Sequence, residues 1–133
     1  MEIIAEINAN LGPADFYMDL RNDQHLWHAD EPLELGGTNK APNPYELLLS
    51  ALSSCSAITM KMYANRKEWP LDGVRVKCDL VKDEPGSPNR ILRKISLEGP
   101  LDEDQKARLI QIADLCPVHK MISAGTKIYT TSV

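Results

Sequence analysis

Three cysteines, Cys55, Cys78 and Cys116, are the residues of this 133-residue chain best suited to chemistry. No Cys-x-x-Cys pair occurs and the histidine nearest to any cysteine is His119, so a metal site is not expected. Three scattered thiols are also too few for a disulfide scaffold. The cysteines are therefore either buried packing residues, which is the common environment of free cysteine, or they include a redox pair.

Cys116 has the sequence features that favour a reactive thiol. It directly precedes Pro117, and a residue before proline is pushed out of the helical conformation. If Pro117 opens a helix, Cys116 is its N-cap, and its sulfur faces free backbone N–H groups and the positive end of the helix dipole. Both effects lower the pKa of a thiol. His119 and Lys120, within the next turn, could add positive charge; alternatively, His119 is a solvated helix residue.

The other two cysteines lie in patterns that favour packing. Cys55 lies in the middle of a predicted helix, on an apolar stripe with Leu52 and Ile58. Its thiol would be inert there unless a positive group or another thiol lies near. Cys78 shares one face of the alternating strand Val74–Leu80 with aliphatic residues, which predicts a small core residue. Cys55 is thus the candidate partner of Cys116, and only the fold can bring the two together.

The elements that must position these thiols are hairpins alternating with helices. The predicted strands are Glu2–Asn8, Phe16–Leu20, His25–Ala29, Val74–Leu80, Arg90–Glu98 and Lys127–Thr131. A capping box of Asp102 and Gln105 predicts a helix to about Leu115, and a short helical segment follows at Pro117–Ser123. Without repeats or linkers, this order indicates a single α+β domain over residues 1–133, built on antiparallel hairpins.

The first helix has the clearest boundaries and an unusual composition. Asn43 is a good N-cap, Pro44 suits the first helical position and Glu46 can close a capping box, so the helix should run to about Arg66. Its segment Leu47–Met60 contains no charged residue, yet is too short and too rich in serine to span a membrane. Protein should therefore surround nearly every side of the helix, which predicts a homodimer in a chain of this size.

Charge and composition exclude several classes of protein. A net charge of −4 leaves no basic surplus for a phosphate backbone, so no nucleic-acid partner is expected. No uncharged stretch reaches the roughly 20 residues of a membrane helix. Glu2 and Glu6 stand where a signal peptide would carry lysine or arginine. We therefore expect a cytoplasmic protein without a membrane partner.

These residues together resemble the OsmC/Ohr family. The run Pro42–Leu52 leading to Cys55 is similar to the family helix in which a P-x-P-x-E-L-L segment precedes a cysteine. Ile112-Ala113 with Cys116–Lys120 resembles the second cysteine motif of the family. Asp30–Pro32 ahead of Gly36-Gly37 resembles the YhfA-like branch in particular. The similarity covers nearly the whole chain in the right order.

The resemblance implies an OsmC-like fold with antiparallel sheets around a long central helix, in an intertwined homodimer with two active sites at the subunit interface. In peroxidase members, the first cysteine attacks an organic hydroperoxide and becomes a sulfenic acid. The second cysteine condenses with it to a disulfide, which a lipoyl-type or other dithiol reduces. By position, Cys55 would be peroxidatic and Cys116 resolving, and no cofactor is implied.

The chain also departs from the peroxidase pattern. Those enzymes have an arginine in the loop before the first helix and a glutamate beside the second proline. Tyr45 occupies the place of that glutamate, and Glu46, one step later, is more simply a capping residue. No arginine lies between Arg21 and Arg66, so Lys40 is the only cation that the loop offers. Glu46, Lys40 and His119 are therefore candidate supporting residues.

Two functions remain open from the sequence. One is a thiol-based peroxidase that reduces organic hydroperoxides through Cys55 and Cys116. The other is a non-catalytic or small-molecule-binding OsmC-like dimer, favoured by Tyr45 and the missing arginine.

Arg93 shares a strand face with Ile91 and Ile95. It either points a charge toward an interface or, as the favoured interpretation, marks a slipped register or an exposed edge.

Overall fold

The computed structural model describes residues 1–133, which form five strands and three α-helices. The strands are β1 (Asn8–Leu11), β2 (Met18–Arg21), β3 (Leu26–Ala29), β4 (Gly73–Lys82) and β5 (Asn89–Glu98). The α-helices are α1 (Pro44–Lys67), α2 (Glu103–Ala113) and α3 (Pro117–Ala124), and a short 3-10 helix covers Leu33–Leu35. The fold class is α+β, as predicted. The chain divides into two compact units, an N-terminal unit of Met1–Leu48 and a C-terminal unit of Leu49–Val133.

The N-terminal unit contains a three-stranded antiparallel sheet in the order β1-β2-β3. The predicted hairpin is confirmed, and Asn22 closes its turn by accepting the backbone N–H groups of Gln24 at 3.0 Å and His25 at 2.8 Å. The predicted strand Glu2–Asn8 is wrong, because β1 begins only at Asn8. Alternation alone does not make a strand where no neighbouring strand of the chain pairs with it.

The loop after β3 is organised around the buried carboxylate of Asp30, which is 2% exposed. Its oxygens accept the Thr38 hydroxyl at 2.6 Å and the backbone N–H groups of Glu31 at 2.7 Å and Lys40 at 3.2 Å. These bonds, that of Thr38 above all, lower the pKa of Asp30 to about 2. Gly37 lies so close to this turn that a Cβ atom would meet the Glu31 carbonyl oxygen at 1.9 Å.

Helix α1 begins with the predicted capping box. The Asn43 side chain accepts the Glu46 N–H at 2.8 Å, and the Glu46 carboxylate accepts the Asn43 N–H at 3.0 Å. By length and composition α1 could cross a membrane, a property that core helices of soluble proteins share. Its last turn contains Arg66 and Lys67, whose charges suit the negative end of the helix dipole.

The two sides of α1 differ sharply in exposure. Leu52, Ser56, Met60 and Ala64 are buried and follow one another at four-residue spacing, so they form one face. Side chains elsewhere on the helix remain open: Ile58 is 53% and Met62 67% exposed. The expectation that protein surrounds nearly every side of the helix is therefore not met within a single chain.

The C-terminal unit packs its hairpin and helices around an apolar core. Strands β4 and β5 pair antiparallel with Cys78 opposite Arg93. The core cluster consists of Met60, Ala64, Leu71, Leu101, Leu109, Ile112 and Ala113. The capping box of Asp102 and Gln105 opens α2 as predicted. The predicted strand Lys127–Thr131 is wrong: these residues have no regular structure, because no strand of this chain lies beside them to accept their hydrogen bonds.

Candidate functional site

The fold brings the predicted thiol pair together. Cys55 lies on α1, Cys116 lies at the start of α3, and the two thiols are close enough for Cys55 to raise the pKa of Cys116. Both are free thiols: Cys55 is half-buried and Cys116 is completely buried. In the single chain, Cys55 therefore keeps some exposed surface and Cys116 keeps none.

Cys116 is the N-cap of α3, as its position before Pro117 predicts. Its backbone is extended, and its sulfur accepts the backbone N–H of His119 at 3.2 Å. The hydroxyl oxygen of Ser56 lies 3.9 Å from the same sulfur. The thiol is thus held by groups from two helices, α1 and α3.

The cap lowers the pKa of Cys116 as predicted, but the expected net direction is wrong, because the pKa of this thiol lies above its ordinary value. Burial raises the pKa of the Cys116 thiol, and the neighbouring Cys55 raises it further, against the opposing bonds from the His119 N–H and Ser56. Desolvation of a thiolate therefore outweighs one N–H donor and a weak hydroxyl contact. The consequence is that Cys116 holds its proton at neutral pH.

Arg93 reaches this centre from β5. Its guanidinium donates through Nη1 to the Ser56 hydroxyl at 2.9 Å and through Nη2 to the Asp114 carboxylate at 2.7 Å, and its side chain is 13% exposed. The favoured interpretation, a slipped register or an exposed edge, is therefore wrong. The β4–β5 register turns Arg93 to the inward face, where an acid and a hydroxyl satisfy it.

Asp114 also faces His119, whose Nδ1 lies 3.9 Å from the carboxylate oxygen that Arg93 contacts. His119 therefore contacts two members of this cluster: its backbone N–H donates to the Cys116 sulfur, and its ring lies near the Asp114 carboxylate. The sequence interpretation missed Ser56 and Asp114. The one available signal was the four-residue spacing that places Ser56 on the buried face of α1.

The remaining candidates have local partners. Cys78 is half-buried, and its sulfur accepts the Ser53 hydroxyl at 3.2 Å, in keeping with a packing role. Glu46 closes the cap of α1, and the Lys40 N–H donates to Asp30 in the N-terminal unit. Supporting roles for Lys40 and Glu46 at the thiols stay predictions. No group of three His, Cys, Asp or Glu side chains is arranged to hold a metal ion.

The chain is similar to known proteins in both sequence and structure. The family model for OsmC-like proteins matches residues 37–131, well over half of the chain. No curated protein matches it.

An OsmC-like protein of Mycoplasma pneumoniae superposes with a TM-score of 0.77 at 22% identity, covering 92% of this chain and 89% of that one. The organic hydroperoxide resistance protein OsmC of Legionella pneumophila superposes with a TM-score of 0.67 at 19% identity, covering 91% of each chain. The organic hydroperoxide resistance protein OhrB of Bacillus subtilis superposes with a TM-score of 0.59 at 21% identity, covering 89% of each chain. These likenesses show the shared fold, and with the matched family model they establish that the chain belongs to the OsmC-like protein family.

Proposed function

We propose that this OsmC-like protein is a thiol-dependent peroxidase that reduces organic hydroperoxides through Cys55 and Cys116. The observation that carries the proposal is the proximity of a half-buried thiol to a fully buried one. Structural relatives from Legionella pneumophila and Bacillus subtilis are organic hydroperoxide resistance proteins, which supports the same chemistry.

The reaction needs two steps at the protein. The Cys55 thiolate attacks the hydroperoxide ROOH; the O–O bond breaks, Cys55 becomes a sulfenic acid, and the alcohol ROH leaves after taking up a proton. Cys116 then condenses with the sulfenic acid, an S–S bond forms, and water leaves. An external dithiol, which we infer to be of the lipoyl type in the cytoplasm, reduces the disulfide and restores both thiols.

Burial supports this division of roles. In the single chain Cys55 keeps exposed surface on the α1 stripe, whereas Cys116 has none. Burial also raises the pKa of Cys116, which disfavours it as the first nucleophile because the thiolate is the attacking species. The condensation step suits a buried thiol, since its partner sulfur already lies beside it.

We also infer a homodimer, from an apolar stripe along α1. Ala51, Cys55, Ile58 and Met62 recur at three- and four-residue spacing, and Ile58 and Met62 are more than half exposed. An apolar stripe open to water is unfavourable, and a two-fold axis covers it with a second copy of itself. Cys55 belongs to the stripe, so in the dimer the partner subunit would form a wall of the peroxide site.

The test is a thiol count after exposure of the reduced protein to cumene hydroperoxide. We expect loss of two of the three thiols in the wild type and loss of none in Cys55→Ser. Cys116→Ser should stop at a sulfenic acid, trapped as a dimedone adduct on Cys55. Cys78→Ser is the matched control and should still lose two thiols. Wild-type thiols that survive an excess of hydroperoxide would refute the proposal.

A second candidate is a small-molecule-binding OsmC-like dimer without turnover. Tyr45, in the place of the family glutamate, and the absence of arginine between Arg21 and Arg66 favour it. This function predicts thiols that resist peroxide and a metabolite that remains bound through purification. Native mass spectrometry of the dimer, compared with its denatured chains, distinguishes the two candidates.

A further inference from the structure

We propose that Arg93 is a positioning residue of the thiol centre, which acts through Ser56 and Asp114 to favour the thiolate form of Cys116. The inference rests on the proposed peroxidase for its catalytic meaning, because Cys116 must condense with oxidised Cys55. The loop before α1 contains no arginine. The inference therefore assigns the cation of the thiol centre to Arg93 on strand β5.

The geometry places Arg93 between the two chain segments that hold the thiols. Its Nη1 bonds the hydroxyl of Ser56, the residue that follows Cys55, at 2.9 Å. Its Nη2 bonds the carboxylate of Asp114, the C-cap of α2 just before Cys116, at 2.7 Å. A planar guanidinium can serve two acceptors at once, so one side chain sets the positions of both segments.

The hydroxyl of Ser56 carries the influence of Arg93 to the sulfur. Its oxygen receives the Arg93 N–H, and its own proton bonds the Leu52 carbonyl at 2.7 Å or turns to Cys116, whose sulfur lies 3.9 Å away. A hydroxyl that accepts from a cation is a stronger donor. When Cys116 ionises, a charge-assisted bond to the thiolate becomes the stronger choice for that proton.

Arg93 also neutralises Asp114. The charged and titratable groups that meet at this centre are Cys55 from α1, Arg93 from β5, Asp114 after α2, and His119 from α3. Without Arg93, the Asp114 carboxylate two residues before Cys116 would be uncompensated and would oppose a second negative charge there, although water screens much of this effect because the Asp114 side chain is 66% exposed. Both effects of Arg93 therefore favour the thiolate, against the desolvation that holds the proton on sulfur.

The direct test is an NMR titration of protein that carries ¹³C at the cysteine Cβ atoms, with the three signals assigned from Cys→Ser variants. We expect Arg93→Gln to raise the pKa of Cys116, and Arg93→Lys to raise it less. Ser56→Ala should also raise it, and this variant keeps the guanidinium in place should Arg93→Gln fail to fold. Arg90→Gln is the control, because Arg90 lies on the same strand in an exposed pair with Asp83 at 2.7 Å.

A second measurement follows the reaction itself. At neutral pH, Arg93→Gln should slow the conversion of sulfenic acid to disulfide about tenfold, the effect of losing one charge-assisted bond. The pH profile of this step should also move to higher pH. An unchanged Cys116 titration in both Arg93→Gln and Ser56→Ala would overturn the inference, whereas wild-type thiols that survive peroxide would refute only the proposed peroxidase.

Discussion

The hydroxyl oxygen of Ser56 lies 3.9 Å from the sulfur of Cys116, although 60 residues separate the two along the chain. Ser56 is completely buried, and each of its hydrogen-bonding positions has a partner in Leu52, Arg93 or Cys116. A buried hydroxyl is tolerated only when it is hydrogen-bonded, so this contact links the thiol centre to the stability of the C-terminal unit.

Ser56→Ala should therefore destabilise the protein. The substitution leaves an N–H of the largely buried Arg93 without an acceptor, which costs about 1–3 kcal/mol of unfolding free energy. Urea denaturation followed by circular dichroism measures this loss. Ser54→Ala is the matched control, because Ser54 is an exposed serine on the same helix that bonds the Ala51 carbonyl at 3.2 Å. Equal losses in the two variants would contradict the role of Ser56.

Asp30 should make the stability of the protein depend on acid pH. Its pKa in the folded protein is about 2, below the ordinary 3.8, because the charged carboxylate accepts the bonds of the loop. Its stabilising contribution is therefore complete above the ordinary value and is lost as the pH falls toward 2.

Asp30→Asn should accordingly unfold at a lower temperature than the wild type at pH 7. This difference in unfolding temperature should shrink as the pH falls from the ordinary pKa of 3.8 to about 2. Thermal unfolding at a series of pH values measures this change. Asp23→Asn, at an exposed position of the β2–β3 turn, is the control and should differ little from the wild type. A deficit that stays constant down to acid pH would show that the carboxylate charge is not what holds the loop.

Two substitutions on α1 should separate core from interface. Leu52→Asp places a charge in the core, where Leu52 is 4% exposed, and should give unfolded or aggregated protein in any assembly state. Ile58 is 53% exposed in the single chain, so Ile58→Asp harms the protein only if a second subunit covers that stripe.

We expect Ile58→Asp to lose the dimer and to aggregate, whereas Ile58→Val keeps it. Sedimentation velocity of the wild type and both variants provides the measurement. A folded wild-type monomer at micromolar concentration would rule out the dimer and the shared active site.

Tyr63 should ionise at a lower pH than an ordinary tyrosine. Arg108 donates to its phenol oxygen at 3.2 Å and lowers the pKa of Tyr63 below 10.0, and the charges of Arg108, Lys67 and Arg66 act in the same direction. Ultraviolet titration should show an early phenolate that is missing in Tyr63→Phe. Arg108→Gln should raise the pH at which Tyr63 ionises. If the wild type shows no tyrosine that ionises early, the assignment is disproved.

Local chemistry explains which elements could be read from the sequence. The capping boxes of α1 and α2 and the N-cap at Cys116 use side chains within three residues of the backbone groups that they satisfy. Such bonds depend only on neighbouring residues, so their positions followed from residue types and spacing. The resemblance to the OsmC/Ohr cysteine motifs singled out Cys55 and Cys116, which the fold places near each other.

Whether the chain ends form strands and in which direction the pKa of Cys116 shifts both depend on tertiary packing. Residues 2–7 and 127–131 alternate as strands do, yet a strand requires a neighbour that sequence alternation cannot supply. The pKa direction of Cys116 was predicted wrongly because the cap is local, whereas the burial that outweighs it comes from the surrounding fold. Arg93, Ser56 and Asp114 meet only because β5, α1 and α2 converge, and a hydrogen bond across such sequence distances is set by tertiary structure alone.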